Sequence, residues 1–231
     1  MNLFFGTPLQ NGTAILTEDE STHCIRVMRM KPGEEIFFTD GNGNFYSGNI
    51  SDPNPKKCLV NIREIKPGYG KRKYYLHIAI APTKNIERFE WFLEKATEIG
   101  IDEITPVIYQ RSERRVVNTD RLKKVLMAAM KQSLKAYLPK LNEPQSFEKF
   151  VVHDLPATRF ICLMNAGEHL KNKPAAGLNS LLLVGPEGDF TDKEISMAQE
   201  NKFVPVMLGQ SRLRTETAGI VACSIVSLLN Q

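Results

Sequence analysis

The pattern of hydrophobic and polar residues changes once along this chain. In the first part, EIFFTDGNGNFYSGNI and KKCLVNIREI contain apolar runs of strand length, and the Gly41–Asn44 stretch predicts a hairpin turn because Asn and Gly tolerate positive φ. A helix is predicted between Thr17 and Arg29, with Thr17 and Glu20 as a capping box. Short strands with one helix predict a small β-barrel over residues 1–70.

From Tyr74 onward, strand and helix patterns alternate. Strands are predicted in YYLHIAIA, EITPVI, RFICLM, SLLLVG and VPVMLG, and helices in IERFEWFLEKATEIG, TDRLKKVLMAAMKQSLKAYL, TDKEISMAQEN and ETAGIVACSIVSLLN. Gly100 is predicted to end the first helix, and Thr191 with Glu194 forms a second predicted capping box. The alternation predicts an α/β domain over residues 74–231, which the basic stretch KPGYGKRK joins to the barrel.

Composition narrows the class of protein. The chain has 231 residues, of which 42% are hydrophobic and 24% charged, as in one large or two modest globular domains. No apolar run has the length of a membrane span, and MNLFFGTPLQ lacks the basic and apolar regions of a signal peptide, so we expect a cytoplasmic protein without a membrane partner. The four cysteines show no zinc-ligand spacing, which predicts free thiols and no metal. A net charge of +4 is compatible with a nucleic-acid partner but does not require one.

Three polar loops follow predicted strand ends, namely MNAGE, GPEGD and GQSRLRTET. Ligands of α/β sheets bind at the carboxyl ends of strands. Gly185 and Gly188 are predicted to let the backbone approach a ligand and to adopt turns closed to other residues. Thr215 is predicted to cap the last helix and leave free amides for an anion. Each loop alone could be an ordinary strand-to-helix turn, but the three together favour a binding site. Signatures of a P-loop, a dinucleotide site and a Ser-His-Asp triad are absent from the sequence.

Two stretches near the C-terminal end resemble the RsmE family of 16S ribosomal RNA uridine-N3 methyltransferases, in the SPOUT superfamily. They are LLLVGPEGDFTDKE and, after it, VMLGQSRLRTETAGI. The family's N-terminal PUA-like barrel is similar to the stretch HCIRVMRMKPGEEIFFTDGNG of this chain. Its middle motifs are similar to KATEIGIDEITPVIYQRSER and KQSLKAYLPKL. The resemblance implies a C-terminal SPOUT domain with a deep trefoil knot, where the pattern alone predicts an ordinary doubly wound sheet. It also implies S-adenosylmethionine (SAM) as cofactor, 16S ribosomal RNA or the small ribosomal subunit as partner, and a homodimer formed through the knot region.

The resemblance further implies roles for individual residues. The expected cofactor-binding residues are Leu163, Met164, Gly185, Pro186, Glu187, Gly188, Leu208, Gly209, Leu213 and Thr215. Arg214 is the candidate that stabilises negative charge on the uracil or orients the RNA, and Glu216 is a candidate base. Structural alternatives are an Arg214 salt bridge to Glu216 or Glu187, and helix capping by Glu216. The expected RNA-binding residues are Arg26, Arg29, Lys31, Arg111, Arg114, Arg115 and Lys135.

Two positions depart from the family pattern. The family commonly has GPEGG where this chain has Asp189, and a Gly-Arg pair after QS where this chain has Leu134 and Lys135. Lysine keeps the charge of arginine but loses its bidentate fork. Two other functions stay open from the sequence: a ribose 2′-O methyltransferase of the same superfamily, and a non-catalytic RNA-binding assembly factor. The LRTET stretch argues against the first, and the intact cofactor loops argue against the second.

Overall fold

The computed structural model describes residues 1–153, 158–173, 177 and 179–231. The fold contains two compact units, of which the first comprises Met1–Lys71 with Met127–Leu138 and the second comprises Arg72–Leu126 with Pro139–Gln231. The domain bounds 1–70 and 74–231 stay a prediction, since a compact unit need not be an independently folding domain.

The first unit contains a closed five-stranded barrel, as predicted. Its strands, in the order β1-β2-β5-β4-β3, are β1 (Leu3–Pro8), β2 (Thr13–Leu16), β3 (Glu35–Thr39), β4 (Phe45–Asp52) and β5 (Leu59–Lys66). β1 pairs in parallel with β3, and the other neighbours pair antiparallel. Closure removes the open edges of the sheet, and alternate side chains fill the interior, where Phe38 stacks on Tyr46 with ring centroids 4.6 Å apart.

The predicted hairpin joins β3 to β4. Its turn has positive φ at Gly41 and Gly43, 76° and 94°, while the Asp40 carboxylate accepts a hydrogen bond from the Asn42 N–H at 2.8 Å. The glycines are required here because other residues rarely adopt these angles. The Asp40 carboxylate supports the turn in a way that sequence analysis had not singled out.

The predicted helix in the first unit is present but irregular. α1 (Glu18–Thr22) continues as a π-helical turn over His23–Val27. The predicted capping box is wrong, because the Thr17 side chain makes no capping hydrogen bond. The buried Glu20 carboxylate instead accepts from the Phe5 N–H at 3.3 Å and pairs with Lys131.

The second unit contains a parallel sheet of seven strands, as expected for an α/β fold. The strands are β6 (Leu76–Ile80), β7 (Glu103–Ile108), β8 (Lys140–Leu141), β9 (Gln145–Ser146), β10 (Thr158–Cys162), β11 (Ser180–Val184) and β12 (Val204–Val206). Their order is β12-β10-β11-β6-β7-β8, and β9 pairs with the far end of β7. The remaining helices of the chain are α2 (Ile86–Ile99), α3 (Thr119–Gln132), α4 (Phe147–Val151), α5 (Asp192–Glu200) and α6 (Thr215–Leu229).

Most helix boundaries follow the predicted signals. Gly100 ends α2 with φ 121°, and the Thr191–Glu194 capping box at α5 is present. α3 ends at Gln132, earlier than the predicted Leu138, because Leu134 adopts φ 54° in the left-handed region. The short elements β8, β9 and α4 were not predicted, since two-residue strands and a five-residue helix leave no periodic pattern.

The order of the sheet positions the candidate site. β12, β10 and β11 are neighbours and parallel, so their carboxyl ends meet at one edge. α6 packs against α2, and a side chain at Gly219 would lie 2.6 Å from the Phe92 ring, so glycine permits this close approach. The trefoil knot stays a prediction. Within the described ranges, no helix is long and apolar enough to cross a membrane.

Candidate functional site

A cleft of about 830 Å³ lies at the carboxyl ends of β10, β11 and β12, beside the first turn of α6. Every residue expected to bind the cofactor lines this cleft except Gly188. The remaining lining residues are Arg88, Cys162, Asn165, Val184, Asp189, Phe190, Ser211, Arg212, Arg214 and Ala218. Its volume is in the range of small-molecule and cofactor sites.

One hydrogen bond joins the two loops singled out in the sequence. The Thr215 hydroxyl donates to the Gly185 carbonyl oxygen at 3.0 Å, and Thr215 is 5% exposed. The prediction that Thr215 caps the last helix is wrong, since the N-cap residue of α6 is Arg214, whose side chain makes no capping bond. The threonine hydroxyl is directed to the loop after β11 rather than to the amides of its own helix.

Glu187 carries an oxygen without a partner. Its Oε1 accepts a hydrogen bond from the Lys84 N–H at 2.9 Å, whereas its Oε2 is buried and has no partner among the described residues. A buried, unpaired carboxylate oxygen is unfavourable. Glu187 lines the cleft, so its carboxylate places negative charge beside a ligand bound there.

The two glycines of GPEGD make room for the protein's own side chains. A Cβ at Gly185 would lie 2.8 Å from the Phe190 ring, and one at Gly188 would lie 3.0 Å from the Arg111 Cβ. Neither glycine has a positive φ. The expectation that they adopt turns closed to other residues is therefore wrong. The left-handed residue of this loop is Asp189, with φ 62°, whose Oδ1 accepts from the Phe190 N–H at 2.8 Å.

The candidate catalytic residues differ in their surroundings. Arg214 is exposed and lines the cleft, and its guanidinium makes no ion pair or hydrogen bond with any residue that the structure describes, including Glu187 and Glu216. Glu216 is 7% exposed and does not line the cleft, and its Oε2 has no partner within the described ranges. The first turn of α6 suits a carboxylate because the helix dipole is positive there.

Sequence reasoning missed two cations of the cleft. Arg212 lies two positions before Arg214, and its place in the loop after β12 was a usable signal. Arg88 comes from the first turns of α2, just after the carboxyl end of β6. Ligands bind at the carboxyl ends of strands, and this rule applies to β6 as well. The loop after β6, PTKN, contains no glycine that would have indicated a binding site.

The residues expected to bind RNA fall into separate groups. Arg26, Arg29 and Lys31 are exposed on the first unit, and Lys135 is partly buried in the stretch after α3. The other three, Arg111, Arg114 and Arg115, each donate hydrogen bonds to backbone carbonyls of the second unit. Their role in RNA binding stays a prediction.

A second polar cluster lies at the opposite, amino ends of β6 and β7. His77 is 6% exposed, and its Nε2 lies 2.7 Å from the Thr105 Oγ1. Burial lowers the pKa of His77 to about 4. Burial alone would raise the pKa of Glu103, but hydrogen bonds from Asn142, Lys140 and Tyr75 and the nearby His77 lower it to about 2. Among the described residues, no group of three or more His, Cys, Asp or Glu could hold a metal ion.

Two known protein families match this chain. A family described as "RNA methyltransferase domain" matches residues 71–227, and one described as "RNA methyltransferase PUA domain" matches residues 16–63. The chain is 32% identical over 230 residues to the ribosomal RNA small subunit methyltransferase E of Mesomycoplasma hyopneumoniae, covering 95% of this chain and 96% of that protein.

Solved structures share the whole fold. A structure described as "probable rRNA-methyltransferase from Porphyromonas gingivalis" has a TM-score of 0.89 at 37% identity and covers 100% of this chain and 98% of that one. A methyltransferase from Legionella pneumophila, solved with bound SAM, has the same TM-score of 0.89 at 25% identity and the same coverage, 100% and 98%.

Proposed function

Because this chain belongs to the RNA methyltransferase family that includes ribosomal RNA small subunit methyltransferase E, we propose that it methylates N3 of a uridine in 16S ribosomal RNA with SAM as methyl donor. The observation that carries the proposal is the cleft at the carboxyl ends of β10, β11 and β12. The cleft is lined by the carboxylate of Glu187 and by the exposed Arg214.

The residues of the cleft fit SAM. SAM supplies a methyl group bound to a positively charged sulfur. The negatively charged Glu187 lines the cleft and suits a cationic part of the cofactor. Leu208, Gly209 and Leu213 line the same cleft and offer apolar contact and backbone groups to the adenine.

The reaction requires an accessible uracil edge. Uridine N3 carries a weakly acidic proton and pairs through that edge, so the base must be unpaired or flipped before N3 can attack. Arg214 is placed to stabilise the negative charge that develops on the uracil oxygens as N3 loses its proton. Positioning of the two substrates contributes the rest of the rate enhancement. Glu216 is the candidate base that would take the N3 proton, although it does not line the cleft.

RNA contacts are proposed for the exposed cations of the first unit. Arg26, Arg29 and Lys31 would bind phosphates, with affinity that falls steeply as salt rises. We place the reaction in the cytoplasm, on free 16S ribosomal RNA or on the small subunit. Four free cysteines agree with a reducing compartment.

A homodimer through α6 is part of the proposal. Leu228 on α6 is 67% exposed, and Trp91 on the adjoining α2 is 43% exposed. A second copy would remove these side chains from water, which stabilises association. Sedimentation equilibrium should give twice the chain mass. A Leu228→Glu variant should shift the equilibrium toward the single chain, while a single-chain mass for the unaltered protein would reject the dimer.

Transfer of a labelled methyl group tests the enzyme directly. The protein is incubated with methyl-labelled SAM and small ribosomal subunits from a strain that lacks the matching modification, and label in the RNA is counted. The proposal predicts incorporation that depends on the protein. RNA binding without incorporation would instead favour the non-catalytic assembly factor.

A further inference from the structure

A short segment after β7 holds the loop that forms one wall of the cleft. In this segment, Arg111 Nη1 donates to the Gly188 carbonyl oxygen at 3.0 Å and to the Phe190 carbonyl oxygen at 3.3 Å. The two carbonyls flank Asp189, the residue with left-handed backbone. The same guanidinium therefore fixes the loop on both sides of its most constrained residue.

Arg114 holds the neighbouring loop in the same way. Its Nε donates to the Thr83 carbonyl oxygen at 3.0 Å, and its Nη2 donates to the Lys84 carbonyl oxygen at 2.8 Å. The Lys84 N–H in turn donates to Glu187 Oε1 at 2.9 Å. Arg114 thus positions the peptide that orients the Glu187 carboxylate.

The absence of a side chain at Gly188 is part of this arrangement. A Cβ at Gly188 would lie 3.0 Å from the Arg111 Cβ, closer than an ordinary contact. Gly188 therefore lets the loop approach the segment closely at Arg111. Arginine suits this task because its planar guanidinium offers several donors in fixed directions and stays charged.

We propose that Arg111 and Arg114 are positioning residues for the cofactor, which set the GPEGD loop and the Glu187 carboxylate in their binding arrangement. The proposal rests on the proposed function, in that the cleft takes SAM. It departs from the expectation that both arginines bind RNA. Their guanidinium donors are directed to backbone carbonyl oxygens of the GPEGD loop and of the loop after β6, and a phosphate would have to compete with these bonds.

Calorimetry with SAM is the first part of the test. Arg111→Ala and Arg114→Ala are each expected to weaken SAM binding about tenfold, because the first removes two hydrogen bonds to the GPEGD loop and the second removes three to the loop after β6. Arg111→Lys should recover part of the loss. Lys124→Ala is the matched control, since Lys124 is an exposed cation on α3 that has no part in the site. Unchanged SAM affinity in both alanine variants would overturn the proposal.

The salt dependence of RNA binding separates positioning from phosphate contact. The slope of log K against log salt should be the same for the alanine variants as for the unaltered protein. A slope reduced by about 0.7–0.9 for each arginine would assign them to RNA phosphates and overturn the proposal.

Deuterium exchange tests the positioning role without SAM. Amides of the loop from Gly185 to Phe190 should exchange faster in Arg111→Ala, while peptides of the first unit should exchange as before and show that the variant is folded. Unchanged loop exchange would overturn the proposal even if the protein failed to bind SAM. Failure of the unaltered protein to bind SAM would count against the proposed function alone.

Discussion

The Thr215 hydroxyl donates a hydrogen bond to the Gly185 carbonyl oxygen, 3.0 Å away, and so joins the first turn of α6 to the loop after β11. Both residues line the cleft. The bond connects the two most distinctive stretches of the sequence, which are 30 positions apart along the chain. The cleft therefore depends on the helix start and on the strand end together.

Replacement of Thr215 by valine should destabilise the protein. Valine keeps the shape of threonine but leaves the Gly185 carbonyl without this donor in a buried position, which should lower the free energy of unfolding by about 1–3 kcal/mol. Thr215→Ser keeps the hydroxyl and serves as the control. Urea denaturation measures the difference. Equal stability of the valine variant and the unaltered protein would show that this bond contributes little.

Replacement of Asp189 by glycine should be tolerated. Asp189 has φ 62°, which costs an L-residue roughly 1–2 kcal/mol, and glycine is free of this cost. The gain offsets the lost hydrogen bond to the Phe190 N–H, so we expect stability equal to or above that of the unaltered chain. Asp189→Ala keeps the strain and loses the bond, and its free energy of unfolding should fall by about 1 kcal/mol. An alanine variant more stable than the glycine variant would contradict this account.

The free energy of unfolding should decrease as the pH is lowered, because His77 titrates. Burial lowers the pKa of His77 in the folded state from 6.5 to about 4. Between these two pH values, His77 therefore binds a proton in the unfolded chain but not in the folded one, which favours unfolding. The stabilisation is present above pH 6.5 and is lost as the pH falls toward 4, by about 2 kcal/mol between pH 7.5 and 5.

A His77→Gln variant isolates this effect, since glutamine retains a hydrogen-bonding group toward Thr105 but does not titrate. Denaturation between pH 7.5 and 5 avoids the range in which Glu103, with its pKa near 2, loses its charge. The variant should lose most of the pH dependence of unfolding. The same dependence in both proteins would assign it to other groups.

Removal of the Arg214 guanidinium should affect catalysis more than cofactor binding. Arg214→Ala is expected to lower kcat about 10- to 100-fold, because the charge on the uracil loses its stabilising partner. SAM affinity by calorimetry should change little. Arg214→Lys should recover part of the rate, and Lys124→Ala again controls for loss of an exposed cation. Undiminished methyl transfer by the alanine variant would remove Arg214 from the mechanism.

The sequence predicted the barrel, the parallel sheet and about half of the residues that line the cleft. These features depend on local periodicity and on loops at strand ends, which a single sequence carries. It was less informative about which group each side chain contacts. It did not predict the carbonyl partners of Thr215, Arg111 and Arg114, because these partners are distant in the sequence.

Both departures from the family pattern fall on left-handed residues. Leu134 and Asp189 have φ 54° and 62°, and each stands where the family commonly has glycine. At both positions glycine would be free of the steric cost that this backbone angle imposes on other residues. In this chain the strain at Leu134 is accompanied by apolar packing against Leu3 and Phe45.

The identity of the methylated nucleoside tests the central claim most directly. Small ribosomal subunits from a strain that lacks the modification are treated with the protein and SAM, the RNA is digested, and the nucleosides are identified by mass spectrometry. The account predicts 3-methyluridine, formed only when both protein and SAM are present. Ribose-methylated nucleosides in its place would keep the cofactor site but contradict the proposed target atom, and no methylated product would contradict the proposed enzyme.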